Sequence, residues 1–227
     1  MKFFIIVLMF MSMLGAKEIA VVEKFKGSVK LLKADSIKKI RVKQGQKIDI
    51  GDRLSTSSSA SALIRLLDGS EIVLKGSSSI EFPSLIEVAQ NSGSVYYKIS
   101  KRDRSGALRV STPFAIIGIK GTSFIVKSDG NASIALEEGR IGIESVGEAY
   151  ELYRQKIIAE YDRFLLEQSN AFEAYKQEQL KGSKLIVKSF DLEAGKQVSF
   201  NNKRVDEASL SQESKAEFDE FKSLFNE

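Results

Sequence analysis

Two groupings in residues 110–145, VSTPFAIIGIKGTSFIVKSDGNASIALEEGRIGIES, come nearest to a reactive site. Lys120 and Thr122 stand two residues apart, and on a strand such residues share a face. The chemistry that pair could perform is a lysine-activated hydroxyl attack. Asp129 with Glu137 and Glu138 offers oxygen ligands for calcium, but Asp129-Gly130-Asn131 lacks the alternating carboxylates of a calcium loop and reads as a turn. The 227-residue chain has no histidine and no cysteine. The commonest general base is therefore missing, as are thiolate nucleophiles and the ligands of zinc and iron–sulfur sites. Paired carboxylates could still hydrolyse glycosides, but nothing in the spacing brings two together. We assign no catalytic, cofactor-binding or metal-ligating residue and read the chain as non-enzymatic.

The elements that would position these residues are strands. From Ile19 to Ser145 short alternating runs, such as Ala62-Leu63-Ile64-Arg65-Leu66 and Val95-Tyr96-Tyr97-Lys98-Ile99, are separated by Gly, Asp and Ser. That rhythm predicts an all-β domain. Asp68-Gly69 and Asp129-Gly130 are hairpin dipeptides. A Gly-x-hydrophobic unit recurs at Gly27, Gly93 and Gly139 at unequal intervals, which predicts loosely repeated strand-turn units.

Ser145 changes the pattern. Ser145 to Glu148 has capping-box spacing, Lys181-Gly182 has the composition of a helix end, and Tyr150, Tyr153, Ile157, Tyr161, Phe164, Leu165, Phe172 and Tyr175 recur at three- and four-residue steps. An inserted helix is expected over 146–182. As one straight helix it would extend about 54 Å, so a break near Ser169-Asn170 into two helices is preferred. Strand patterning returns at 183–205, and a last amphipathic helix, capped by Ser209 with Gln212, is expected within 206–227.

At the start, Lys2, the apolar run Phe3 to Leu14 and the small Gly15-Ala16 form the layout of a signal peptide over 1–16. The run is shorter than the roughly 20 residues of a membrane span. A soluble periplasmic protein is expected, with an uncleaved anchor as the alternative. Lysine and arginine total 34 against 30 acidic residues, a formal net charge of +4. That near balance does not point to nucleic acid.

Ordered motifs add a family. The Ser-Thr-Pro entry at Ser111, Lys120-Gly121-Thr122-x-Phe124 and Glu138-Gly139 come after Gln44-Gly45-Gln46, Ile50-Gly51-Asp52-Arg53-Leu54-Ser55-Thr56, Leu67-Asp68-Gly69-Ser70 and Gly93-Ser94-Val95, with Ala194-Gly195-Lys196-Gln197 at the end. This set resembles the FecR domain family. The resemblance implies a mainly β, solenoid-like extracytoplasmic domain over 17–145, here interrupted by the inserted helix or helical hairpin and followed by the C-terminal helix. In the regulators that name the family, a cytoplasmic region controlling a sigma factor precedes the domain across one membrane span. No such region is expected here, so iron-transport signalling is not carried over.

Function then rests on surfaces. Tyr150, Tyr153, Tyr161, Phe172 and Tyr175 on the inserted helices, and Phe218, Phe221 and Phe225 on the last helix, are the candidate partner-binding residues, because Tyr and Phe supply contact area at low entropic cost. The alternative is that these stripes cover the chain's own sheet. The expected partner is another envelope protein or a second copy of the chain. The second expectation is an envelope structural protein binding peptidoglycan or other glycans.

Overall fold

The computed structural model describes residues 17–101, 107–154 and 184–224. Twenty strands and one helix lie among them. The first half contains β1 (Glu18–Lys26), β2 (Val29–Leu32), β3 (Lys39–Arg41), β4 (Gln46–Asp49), β5 (Arg53–Thr56), β6 (Ser61–Leu66), β7 (Glu71–Leu74), β8 (Ser79–Ser84), β9 (Glu87–Ser92) and β10 (Ser94–Lys98). The second half contains β11 (Leu108–Ser111), β12 (Ala115–Ile119), β13 (Ser123–Lys127), β14 (Ser133–Glu138), β15 (Arg140–Ser145), β16 (Tyr150–Arg154), β17 (Lys184–Val187), β18 (Ser189–Glu193), β19 (Lys196–Asn201) and β20 (Arg204–Ser209), then α1 (Gln212–Ser223).

These strands form two large mixed sheets. The eleven-stranded sheet has the order β4-β1-β6-β7-β10-β13-β14-β19-β20-β16-β17, and the nine-stranded sheet β3-β2-β5-β8-β9-β11-β12-β15-β18. Apart from β3 and β4 at one end and the β16–β17 pair at the other, both orders climb with the chain, which passes back and forth between the sheets as it advances. All neighbours are antiparallel except β9 with β11 and β16 with β20.

Alternation decides which residues enter the core. In β12, Ala115, Ile117 and Ile119 point inward, while Ile116 and Gly118 point outward. The inward sets of both sheets, including Val22, Leu54, Ile64, Phe82, Tyr97, Phe124 and Ile143, meet in one cluster. Some strands break the alternation. β6 and β13 are buried almost throughout because a second cluster lies on the outer side of the eleven-stranded sheet. There Leu63, Val73, Tyr96, Ile125 and Ala135 pack beneath Phe218 and Phe221 of α1. Continuous apolar runs are what strands covered on both faces require.

The helix is fastened as well as packed. Ser211 caps it by accepting from Ser214 N at 3.0 Å, two residues later than the expected Ser209 cap, because β20 runs on to Ser209. Gln197 Oε1 accepts from Ser211 N at 3.1 Å and from Ser214 Oγ at 2.7 Å. Ion pairs hold its length to the sheet, among them Lys127 with Glu217 at 2.7 Å, Lys75 with Glu220 at 2.6 Å and Lys222 with Glu137 at 2.5 Å.

The helix expected to begin after Ser145 does not begin there. Ser145 Oγ accepts from Gly147 N at 3.2 Å and donates to Glu148 O, closing a local turn. Serine competes for nearby backbone groups in turns as readily as at helix caps. Tyr150–Arg154 then forms β16, paired with β17 and β20. Its Tyr150 and Leu152 face the core at the strand spacing of two. The β-structure therefore extends to Arg154, beyond the expected boundary at 145. Residues 155–183, where the rest of the inserted helix was expected, lie outside the described residues.

Candidate functional site

The Lys120-Gly121-Thr122 motif sits in the crossover from β12 in one sheet to β13 in the other. Lys120 is exposed, whereas Thr122 is 3% exposed, so the two do not share a face. Thr122 N donates to Ile99 O at 3.1 Å, and Ile99 N returns a bond to Thr122 O at 2.9 Å. The Thr122 Oγ1 reaches no hydrogen-bond partner among the described residues. An unactivated, buried hydroxyl is not a nucleophile. Gly139 explains the tightness here: its φ is +87°, and a Cβ would stand 2.7 Å from Gly121 O and 2.6 Å from Thr122 Cγ2. The motif is a packing device for the crossover.

The aromatic residues expected to bind a partner occupy separate places. Tyr150 is 3% exposed, donates its hydroxyl to Phe114 O at 2.6 Å and meets Phe200 and Phe190 edge-on, with centroids 5.6 and 6.1 Å away. Burial pushes its phenol up to about 12. Tyr153 is half-buried on the same strand, with the Arg204 guanidinium 4.2 Å from its ring centroid. Phe218 and Phe221 are 1% exposed beneath α1, where Tyr96 stacks on Phe221 at 5.8 Å. Tyr161, Phe172, Tyr175 and Phe225 lie outside the described residues. The two phenylalanines of α1 are engaged by the chain's own sheet, as the covering alternative expected.

The outer face of the nine-stranded sheet is different. Arg109 on β11, Gly118 on β12, Gly142 on β15 and Asp191 on β18 stand in register as one row. Ser111, Ile116, Glu144 and Ser189 form the next. The two glycines leave a shallow cavity of about 410 Å³, walled by Arg109, Ile116, Glu144 and Asp191. Nothing in the fold demands glycine at either position. A Cβ on Gly118 would come no closer than 3.9 Å, to Gly142 O, and one on Gly142 no closer than 3.6 Å, to Asp191 Oδ1. Neither has a positive φ, so no backbone conformation requires glycine there. A glycine inside a strand costs about 0.5–1 kcal/mol relative to alanine and often marks close approach by a ligand or another backbone. At the ends of the trough, three strand spacings or about 14 Å apart, Arg109 and Asp191 have no ion-pair partner among the described residues, and neither has Glu144. Sequence reasoning missed this site. Its signal was the repeated Ile-Gly-Ile of Ile117 to Ile119 and Ile141 to Ile143, which places glycine outward wherever isoleucine points inward.

The FecR protein family matches residues 52–142 of the chain. The chain carries a FecR domain. Two crystal structures of a protein provisionally described as an anti-sigma factor, from Parabacteroides distasonis ATCC 8503, are similar to it. Each has a TM-score of 0.48 and 14% identity; they cover 73% and 72% of this chain and 63% and 62% of theirs. The chain thus spans less than two thirds of that protein's length. No curated protein matches the sequence.

The match runs from Asp52 to Gly142, so Arg109, Ile116 and both glycines of the trough lie within it, while Glu144 and Asp191 lie beyond it. Asp52 is 1% exposed. It accepts from Lys33 Nζ at 2.8 Å, Asp49 N at 2.9 Å and Ala34 N at 3.2 Å. Within the FecR domain this aspartate is therefore structural, and the exposed chemistry is that of the trough.

Proposed function

We propose that this FecR-domain protein is a non-enzymatic protein-interaction module of the cell envelope, working in the periplasm in signalling or assembly, and that it holds its partner on the outer face of the nine-stranded sheet. The observation that carries this reading is the in-register Gly118–Gly142 pair. Two strand glycines without a steric or dihedral reason leave backbone open to contact, and charges of both signs, without ion-pair partners among the described residues, stand at the rim. An extended polypeptide segment with an apolar side chain over the glycines and charges at its ends fits that chemistry.

The test is photo-crosslinking in cells from a probe at Ser189, which is exposed beside the trough. Wild-type protein is compared with Gly118→Val/Gly142→Val. A discrete protein adduct is expected in the wild type and at least a tenfold loss in the variant. Valine is a good strand former, so the variant should melt no lower than wild type, separating lost contact from lost fold. Unchanged adducts would move the partner to another surface. An adduct of twice the chain mass would identify the partner as a second copy.

A further inference from the structure

We propose that the β2–β3 end of the molecule is a docking surface for a membrane containing anionic phospholipid. Ile37, in the loop between β2 and β3, is 103% exposed, and Ile40 on β3 is 40% exposed. The loop presents Ile37 by construction. Lys33 at its base is pinned to Asp49 at 2.7 Å and to Asp52 at 2.8 Å, Ser36 N donates to Lys33 O at 3.0 Å, and Lys38 N donates to Ser36 Oγ at 3.1 Å.

Basic residues surround that tip. Lys30, Lys38, Lys39, Arg41 and Lys43 are exposed, and none has an ion-pair partner among the described residues. Asp35 is the one acidic residue between Lys33 and Asp49. The register even sets Lys30 directly opposite Arg41, and like charges in that position are destabilising. An anionic surface relieves the repulsion. β3 is also the outermost strand of its sheet, so no further strand stands between this end and a flat surface. A soluble polyanion would need only the charges. A fully exposed isoleucine set among them fits phosphate headgroups with hydrocarbon immediately behind, the combination that binds proteins to anionic bilayers.

Co-sedimentation of the full chain with phosphatidylglycerol–phosphatidylcholine vesicles, against phosphatidylcholine alone, tests this. Stronger binding is expected with the anionic lipid than with phosphatidylcholine alone. Reversing Lys38, Lys39 and Arg41 to glutamate in the same chain should weaken it about fivefold or more per residue. Because the N-terminal apolar run is common to both proteins, their difference reports on this end alone. None of the three side chains supports the fold, and Arg41→Glu removes a like-charge pair, so circular dichroism should be unchanged. The chain has no tryptophan, so Ile37→Trp gives a single indole emission band, expected to shift to the blue on anionic vesicles. Equal binding to phosphatidylcholine, full binding by the triple variant, or an unshifted indole emission from the Ile37→Trp protein would each overturn the proposal.

Discussion

Asp52 converts a short Gly-Asp segment into a fixed loop. It is almost fully buried, and two backbone N–H groups and the Lys33 ammonium converge on its carboxylate. Removing it strands donors from three places at once. Asp52→Ala should destabilise the protein by about 3 kcal/mol, read as a lower urea midpoint, and should free the β2–β3 loop. At this scale the sequence was partly legible. The family motifs located Asp52, whose role is to accept hydrogen bonds, and Gly139, whose role is steric. The trough at Gly118 and Gly142 was not legible, because it exists only when β12 and β15 lie side by side, far beyond the reach of any local spacing. Lys120 and Thr122 failed as a pair for a related reason: sharing a face requires both to lie on one strand, and they lie in a crossover between sheets.

Among the elements, α1 was the most readable. Its phenylalanines lie three residues apart on one face, and that face is buried, with Phe221 further capped by the Lys75 ammonium 4.5 Å from its centroid. Phe218→Ala and Phe221→Ala should each cost about 3–5 kcal/mol, seen in chemical denaturation. Each should also raise binding of a hydrophobic dye, because Leu63, Val73 and Ile125 lose their cover. β16 was the least readable. Tyr150, Leu152 and Tyr153 satisfy a helical step and a strand alternation about equally over so few residues, and periodicity alone does not separate the two in so short a window. The decision belongs to pairing with β17 and β20, which lie much further along the chain. Parallel pairing of β16 with β20 in particular is a long-range choice with no local signal.

For the molecule as a whole, the class was legible and the arrangement was not. Alternating runs with turns between them predicted a β-domain, whereas the division of twenty strands into two sheets depends on which crossovers the chain takes. The core between those sheets holds Tyr97, fully buried with its hydroxyl donating to Gln90 Oε1 at 2.9 Å, as well as Tyr150. Burial raises both phenols above their ordinary range, while unfolded tyrosines ionise near pH 10. Above about pH 10 the unfolded chain releases protons that the folded one keeps, so stability is complete below that pH and declines through about pH 12. Melting temperature followed across that range should be flat and then fall. Tyr97→Phe should start lower, for the lost hydrogen bond, and fall less steeply.

β16 and β17 are antiparallel neighbours, with Tyr153 opposite Lys184. The chain therefore leaves the eleven-stranded sheet and re-enters it one strand spacing away. The two ends of the 155–183 segment are thus already held together by the ladder, and joining them with a short hairpin turn in place of that segment should leave the register of β16 and β17 unchanged.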